Sequence, residues 1–246
     1  MQNTASIHTT TAEPKRSPGR SRRTTAALLA GPIVATAGLV ATPWESEKSI
    51  ESYHQALAGS PDQAQIAALL LYFGYALLGL SAFTAIRRMK SRHRKHVAVA
   101  AVLSYLGATL MPGQLVTDFY DLAMAQNLPA ADAARASEAT QELAFAPLMM
   151  IPALLGFVFG PVAVAALAAR EKLVGWWAPF VFVAGFIVPI AIYSPAAIVV
   201  GGLALIGVYS AIAAGLARRD REIAEADAPA EQAGPVWIGA PAPEAW

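Results

Sequence analysis

The chain has 246 residues, of which 56 % are hydrophobic and only 14 % charged. Soluble domains average about 25 % charged, so the composition argues against a water-soluble globule and for lipid as the solvent. With no cysteine, the chain has no disulfide, thiolate metal site, Cys nucleophile or palmitoylation site. The net charge of +1 conceals two signs that are segregated along the chain.

Residues 1–23 are polar and carry Lys15, Arg16, Arg20, Arg22 and Arg23 among Pro, Gly and Ser/Thr, the composition of a disordered basic arm. The first apolar run, 24–44, is near bilayer thickness. A cleaved signal peptide is its rival reading. The run is long for one and has no A-x-A site near Ala41, so it is read as a retained helix. An acidic outer loop from Glu45 to Gln63 follows, with His54 read as a solvated loop histidine, since a zinc site needs three or four protein ligands. Helix two spans 64–86 and helix three 97–117. Between them Arg87 to His96 packs six Lys/Arg and two His into ten residues, which cannot sit in hydrocarbon.

The outer segment 118–142 breaks at Asn127-Leu128-Pro129 into two Ala-rich halves that look helical. Helix four, 143–169, holds Pro147, Pro152 and Pro161 and is expected to kink or tilt. Arg170-Glu171-Lys172 makes a tight inner turn. Helix five spans 173–193 and helix six 196–217. Residues 218–246 are Ala/Pro/Glu-rich and read as a disordered tail.

This predicts an all-α, polytopic membrane bundle of six transmembrane helices. If the N-terminus is inside, sixteen of the 18 Lys/Arg lie on inner segments, while the outer segments keep Lys48 and Arg135 beside nine acids. Positively charged loops stay cytoplasmic, so both termini are expected in the cytoplasm and the protein in the cytoplasmic (inner) membrane. Arg87, Arg88, Lys90, Arg92, Arg94 and Lys95 are read as contacts for anionic lipid headgroups, not for nucleic acid.

No ionisable residue lies mid-span, which argues against a proton-coupled pump. On helix three, Ser104, Gly107, Met111, Gln114, Asp118 and Asp121 recur at spacings of three and four. They form one stripe if the helix continues past Pro112-Gly113. With Glu142 at the same height, Gln114, Asp118 and Asp121 are the candidate ligand-binding residues, an outward polar cleft for a cation or cationic group. The competing reading is packing through small residues with solvated helix-end acids. Gly156 and Gly160 permit close helix approach, inside the bundle more readily than in a dimer. No phosphate loop, nucleophile elbow, H-E-x-x-H or dinucleotide fingerprint occurs, and no catalytic residue, metal or cofactor is assigned.

Around MPGQLVTDFYDLA, Pro112-Gly113, Asp118 and Tyr120-Asp121 resemble a group of uncharacterised six-helix membrane proteins of high-GC actinobacteria, over residues 24–217. The resemblance implies the architecture and no activity. The expected role is a non-catalytic accessory, scaffold or small-ligand-binding component, with a membrane-protein partner or second copy left open. The alternatives are a transporter or channel subunit for a neutral or amphipathic solute, and a membrane-embedded enzyme using the outer carboxylates.

Overall fold

The computed structural model describes residues 18–45, 47–192 and 194–226. Among these, every regular element is an α-helix: α1 Pro18–Ala41, α2 Ile50–Gly59, α3 Pro61–Met89, α4 Arg94–Leu115, α5 Thr117–Asn127, α6 Ala130–Gln141, α7 Ala146–Arg170, α8 Trp177–Ile192 and α9 Pro195–Ala226. Five are long and apolar enough to cross a membrane, α4 with α5 counting as one, and α8 is a shorter apolar helix. At 1.5 Å per residue its 16 residues reach about 24 Å, short of a hydrocarbon core of about 30 Å.

Lipid tails are as apolar as leucine, so helices in a bilayer associate through close backbone approach instead of the hydrophobic effect. Two glycine-lined antiparallel crossings supply that approach here. A Cβ on Gly31 of α1 would come within 2.3 Å of the Leu78 nitrogen in α3, and one on Gly74 within 2.6 Å of Ala35. In the second crossing, a Cβ on Gly156 of α7 would lie 2.3 Å from the Gly107 nitrogen in α4, and Gly160 rests on Ser104. The small-residue spacing of α7 therefore serves the inside of the bundle.

Ser81 ties the first pair, its one hydroxyl proton shared between the Ala27 carbonyl at 2.9 Å and the Leu77 carbonyl at 3.0 Å. Across the bundle, Tyr75, Phe157, Phe186, Phe182 and Tyr209 form a chain of ring contacts with centroids 4.4–6.5 Å apart. Of the two tyrosines in α3, Tyr75 is buried in this chain and Tyr72 is 37 % exposed.

Several boundaries differ from those read in the sequence. The basic arm expected through residue 23 is helical from Pro18, a residue preorganised for a first helical turn; residues 1–17, with His8, lie outside the described residues. The loop expected over 45–63 contains α2, capped by the Ser49 hydroxyl, which accepts from the Ser52 amide at 3.1 Å. Pro147 opens α7 instead of breaking it, because its missing N–H is unneeded in the first turn. At the other end of α7 the chain closes in a Schellman turn, Lys172 N–H to Ala169 and Leu173 N–H to Ala168. With Gly175 next in line, that turn delays α8 to Trp177.

The tail expected to be disordered from 218 is helical to Ala226. Arg219 holds it there, donating to the Met89 carbonyl at 2.9 Å and to the Arg88 carbonyl, while Arg88 pairs with Asp220. Residues 227–246 lie outside the described residues.

Candidate functional site

The bundle has an acidic end, capped by α2, α5 and α6, and a basic end, where α3, α4, α7 and α9 present their Lys/Arg. The cap forms because each short helix is amphipathic. Tyr53, His54 and Leu57 share a face of α2; Asp118, Asp121, Leu122 and Ala125 share one on α5; Ala133, Ala134 and Ser137 share one on α6. Leu57, Leu122 and Ala64 form its apolar floor, with Tyr53 and Ala125 packed against them.

A polar chain lies beside that floor. The Ser137 hydroxyl donates to Asp121 Oδ1 at 2.8 Å and stands 3.0 Å from His54 Nε2. A serine hydroxyl has one proton. With it given to Asp121, Nε2 is the donor to Ser137. His54 is 1 % exposed and its Nδ1 is buried without a partner among the described residues. The solvated-histidine reading is therefore wrong: helix α2 turns His54 inward, and α6 supplies its partner. Burial, and then the charges of Asp118, Asp121 and Glu45, push the Tyr53 hydroxyl above the usual phenol range. Three carboxylates from two segments, α5 and the stretch before α2, thus act on one phenol.

The helix-three stripe splits in two. Pro112 lies within α4, which runs to Leu115, and α5 takes over after Val116. Ser104 and Gly107 pack against α7, and Met111 packs beside Leu115 and Tyr75. Asp121 reaches the polar chain through Ser137, and Asp118 acts on the Tyr53 hydroxyl through its charge. Gln114 is half-buried at the end of α4, its carbonyl accepting from Thr117 Oγ1 at 2.6 Å. Glu142 is exposed at the end of α6, its amide bound to the Glu138 carbonyl. The hydrogen bonds therefore join Asp121, Ser137 and His54, with Tyr53 under the charge of Asp118 and Asp121. Among the described residues no three His, Asp or Glu side chains stand close enough to hold a metal ion together. The sequence signal for the missed residues is the i, i+3, i+4, i+7 pattern of Ile50, Tyr53, His54 and Leu57.

Between α1, α8 and α9, toward the acidic end, a cavity of about 450 Å³ opens. Leu39, Phe186, Pro189 and Leu205 line its wall, Tyr75 and Phe157 its floor, and Trp44, Glu45 and Lys48 its rim. Burial at this rim raises the Glu45 carboxyl above the usual range. At the basic end a second cavity, of about 530 Å³, is enclosed by the α3–α4 turn, the end of α7 and α9.

No protein-family model, no curated protein and no solved structure matches this chain.

Proposed function

We propose that the chain is a six-span protein of the cytoplasmic membrane, similar to the actinobacterial six-helix group, with α8 as the sixth span and both ends in the cytoplasm. Its role in this reading is to hold a single-tailed, lipid-like molecule with an uncharged polar head. The observation that carries it is the apolar cavity near the acidic end. Its volume falls within the range of about 300–1,000 Å³ usual for ligand sites, its wall is apolar, and its charged groups are confined to the rim. An acyl tail among the aromatic and aliphatic side chains would leave its hydroxyls beside Glu45 and Lys48. This is a binding function, with no chemistry assigned to Asp118 or Asp121.

Two measurements test the two halves of the proposal. A reporter active only outside the cytoplasm is expected to work when inserted after Gln63 or Asn127 and to be silent after Lys90 or Arg221. Activity at Arg221 would remove the sixth span. For the ligand, monoacylglycerol added to the purified protein should raise Tm saturably. Leu39→Trp with Leu205→Trp, which fills the cavity, should abolish that rise. An undiminished rise in the filled variant would place the amphiphile elsewhere and end the cavity reading.

A further inference from the structure

The cavity at the basic end carries a second assignment, one that does not depend on which way the bundle faces. Five cationic side chains surround it: Arg88, Lys90, Arg92, Arg170 and Arg219, with His93 beside them and only Glu171 and Asp220 of opposite sign. They come from three separate stretches, the run 88–93 that ends α3 and turns into α4, the end of α7 and the last turns of α9, so folding adds Arg170 and Arg219 to charges already clustered in the sequence. Lys90, Arg92 and Arg170 are exposed to solvent, so water screens their repulsion in part, and an anion entering among them would relieve the rest.

The cations divide by what they already do. Arg219 is committed to the Arg88 and Met89 carbonyls, and Arg88 to Asp220. These bonds build the wall by pinning α9 to the end of α3. Lys90, Arg92 and Arg170 have no hydrogen-bond or carboxylate partner among the described residues. The Arg88 Nε, buried in the same wall, also lacks one. Lys90 closes α3 as Lys172 closes α7, both with positive φ. The φ of Lys90 is 49°, a left-handed conformation that glycine adopts freely and other residues adopt at a cost. Such a position is where a helix C-terminus favours glycine, yet here it carries a charge into the cavity.

We infer that this cavity is a binding site for a phosphate-class anion, held by Lys90, Arg92 and Arg170 against the wall formed by Arg88 and Arg219. Guanidinium groups present paired donors that match phosphate oxygens, and the lysine adds a point charge. The phosphate belongs either to an anionic lipid headgroup or to a soluble compound. The chemistry of recognition is the same.

The experiment uses the full chain in an uncharged detergent. Inorganic phosphate, then pyrophosphate, is titrated against chloride at matched ionic strength while Tm is followed; in parallel the protein is placed in phosphatidylcholine bilayers with and without phosphatidylglycerol. A saturable rise with soluble phosphate identifies a soluble ligand, and a rise with phosphatidylglycerol alone identifies a headgroup. Either supports the site. Lys90→Gln, Arg92→Gln and Arg170→Gln together should weaken the apparent affinity by on the order of a hundredfold, at about 1 kcal/mol per basic group. Arg22→Gln with Arg23→Gln should leave it unchanged. Lys90→Gly separates binding from folding, because it should raise Tm without ligand while reducing the shift that ligand produces. The inference is overturned if no arm exceeds its chloride or phosphatidylcholine control, or if the triple variant and Lys90→Gly both keep the full shift.

Discussion

Gly156→Val should be among the most damaging single substitutions, with a loss of stability at or beyond the upper end of the about 1–3 kcal/mol typical of overpacking. The new Cβ would meet the Gly107 nitrogen at 2.3 Å and the Leu103 oxygen at 2.7 Å. Both are backbone atoms, which no rotamer change can move, so α4 and α7 must separate along their whole crossing. Gly107→Val should act from the opposite side, since its Cβ would lie 2.7 Å from the Gly156 carbonyl carbon. Gly113→Ala and Gly207→Ala are the controls. Both glycines are helical and a Cβ there meets nothing within 4 Å, so the change should be neutral or stabilising by up to about 1 kcal/mol. Thermal unfolding in detergent reads all four. Equal Tm for Gly156→Val and Gly113→Ala would mean that the α4–α7 crossing is not close.

His54→Ala should loosen the cap at the acidic end, at a cost of about 2–4 kcal/mol for the cavity and the broken hydrogen bond together. Ser137 loses the donor that faces it, and α2 loses its polar tie to α6. The effect should be local: amide exchange should rise in α2 and α6 and stay unchanged along α3 and α9. Burial can be checked without mutation. Diethyl pyrocarbonate should modify His93 and His96, both exposed, well before His54. Modification of His54 at the same rate as these two would return it to solvent and dissolve the polar chain. Ser137→Ala should reproduce the exchange pattern of His54→Ala with a smaller loss of Tm, since it leaves no large void.

Much of the architecture was legible because a bilayer imposes length and polarity on any segment that enters it. Long runs with no charge can only be buried or lipid-facing, so α3, α4, α7 and α9 stood out from hydropathy alone. The break at Asn127-Leu128-Pro129 and the tight turn at Arg170-Glu171-Lys172 followed from residues that cannot continue a helix or leave water. Less legible was α2. Its apolar stripe is short, and its acidic neighbours read as a loop. The helical extension to Ala226 was hidden for a different reason. Residues 218–226 have little apolar surface of their own, and their order comes from Arg219 and Asp220 gripping the end of α3, 131 positions away for the Arg219–Arg88 bond.

The candidate sites divide the same way. Asp118 and Asp121 could be paired from their spacing, because residues three apart on a helix share a face. Their partners could not. His54 and Ser137 are separated by 83 positions, and periodicity within one helix says nothing about which other helix it faces. The same holds for the basic cavity, where the run from Arg87 to Lys95 announced positive charge but not the contribution of Arg170 and Arg219. By itself, then, the sequence determined the solvent, the segments that carry apolar length and the segregation of charge, since these depend on local composition. Only the tertiary structure decided which glycines meet, that His54 is buried, and that two cavities exist, since each depends on backbone distances between segments remote in the chain.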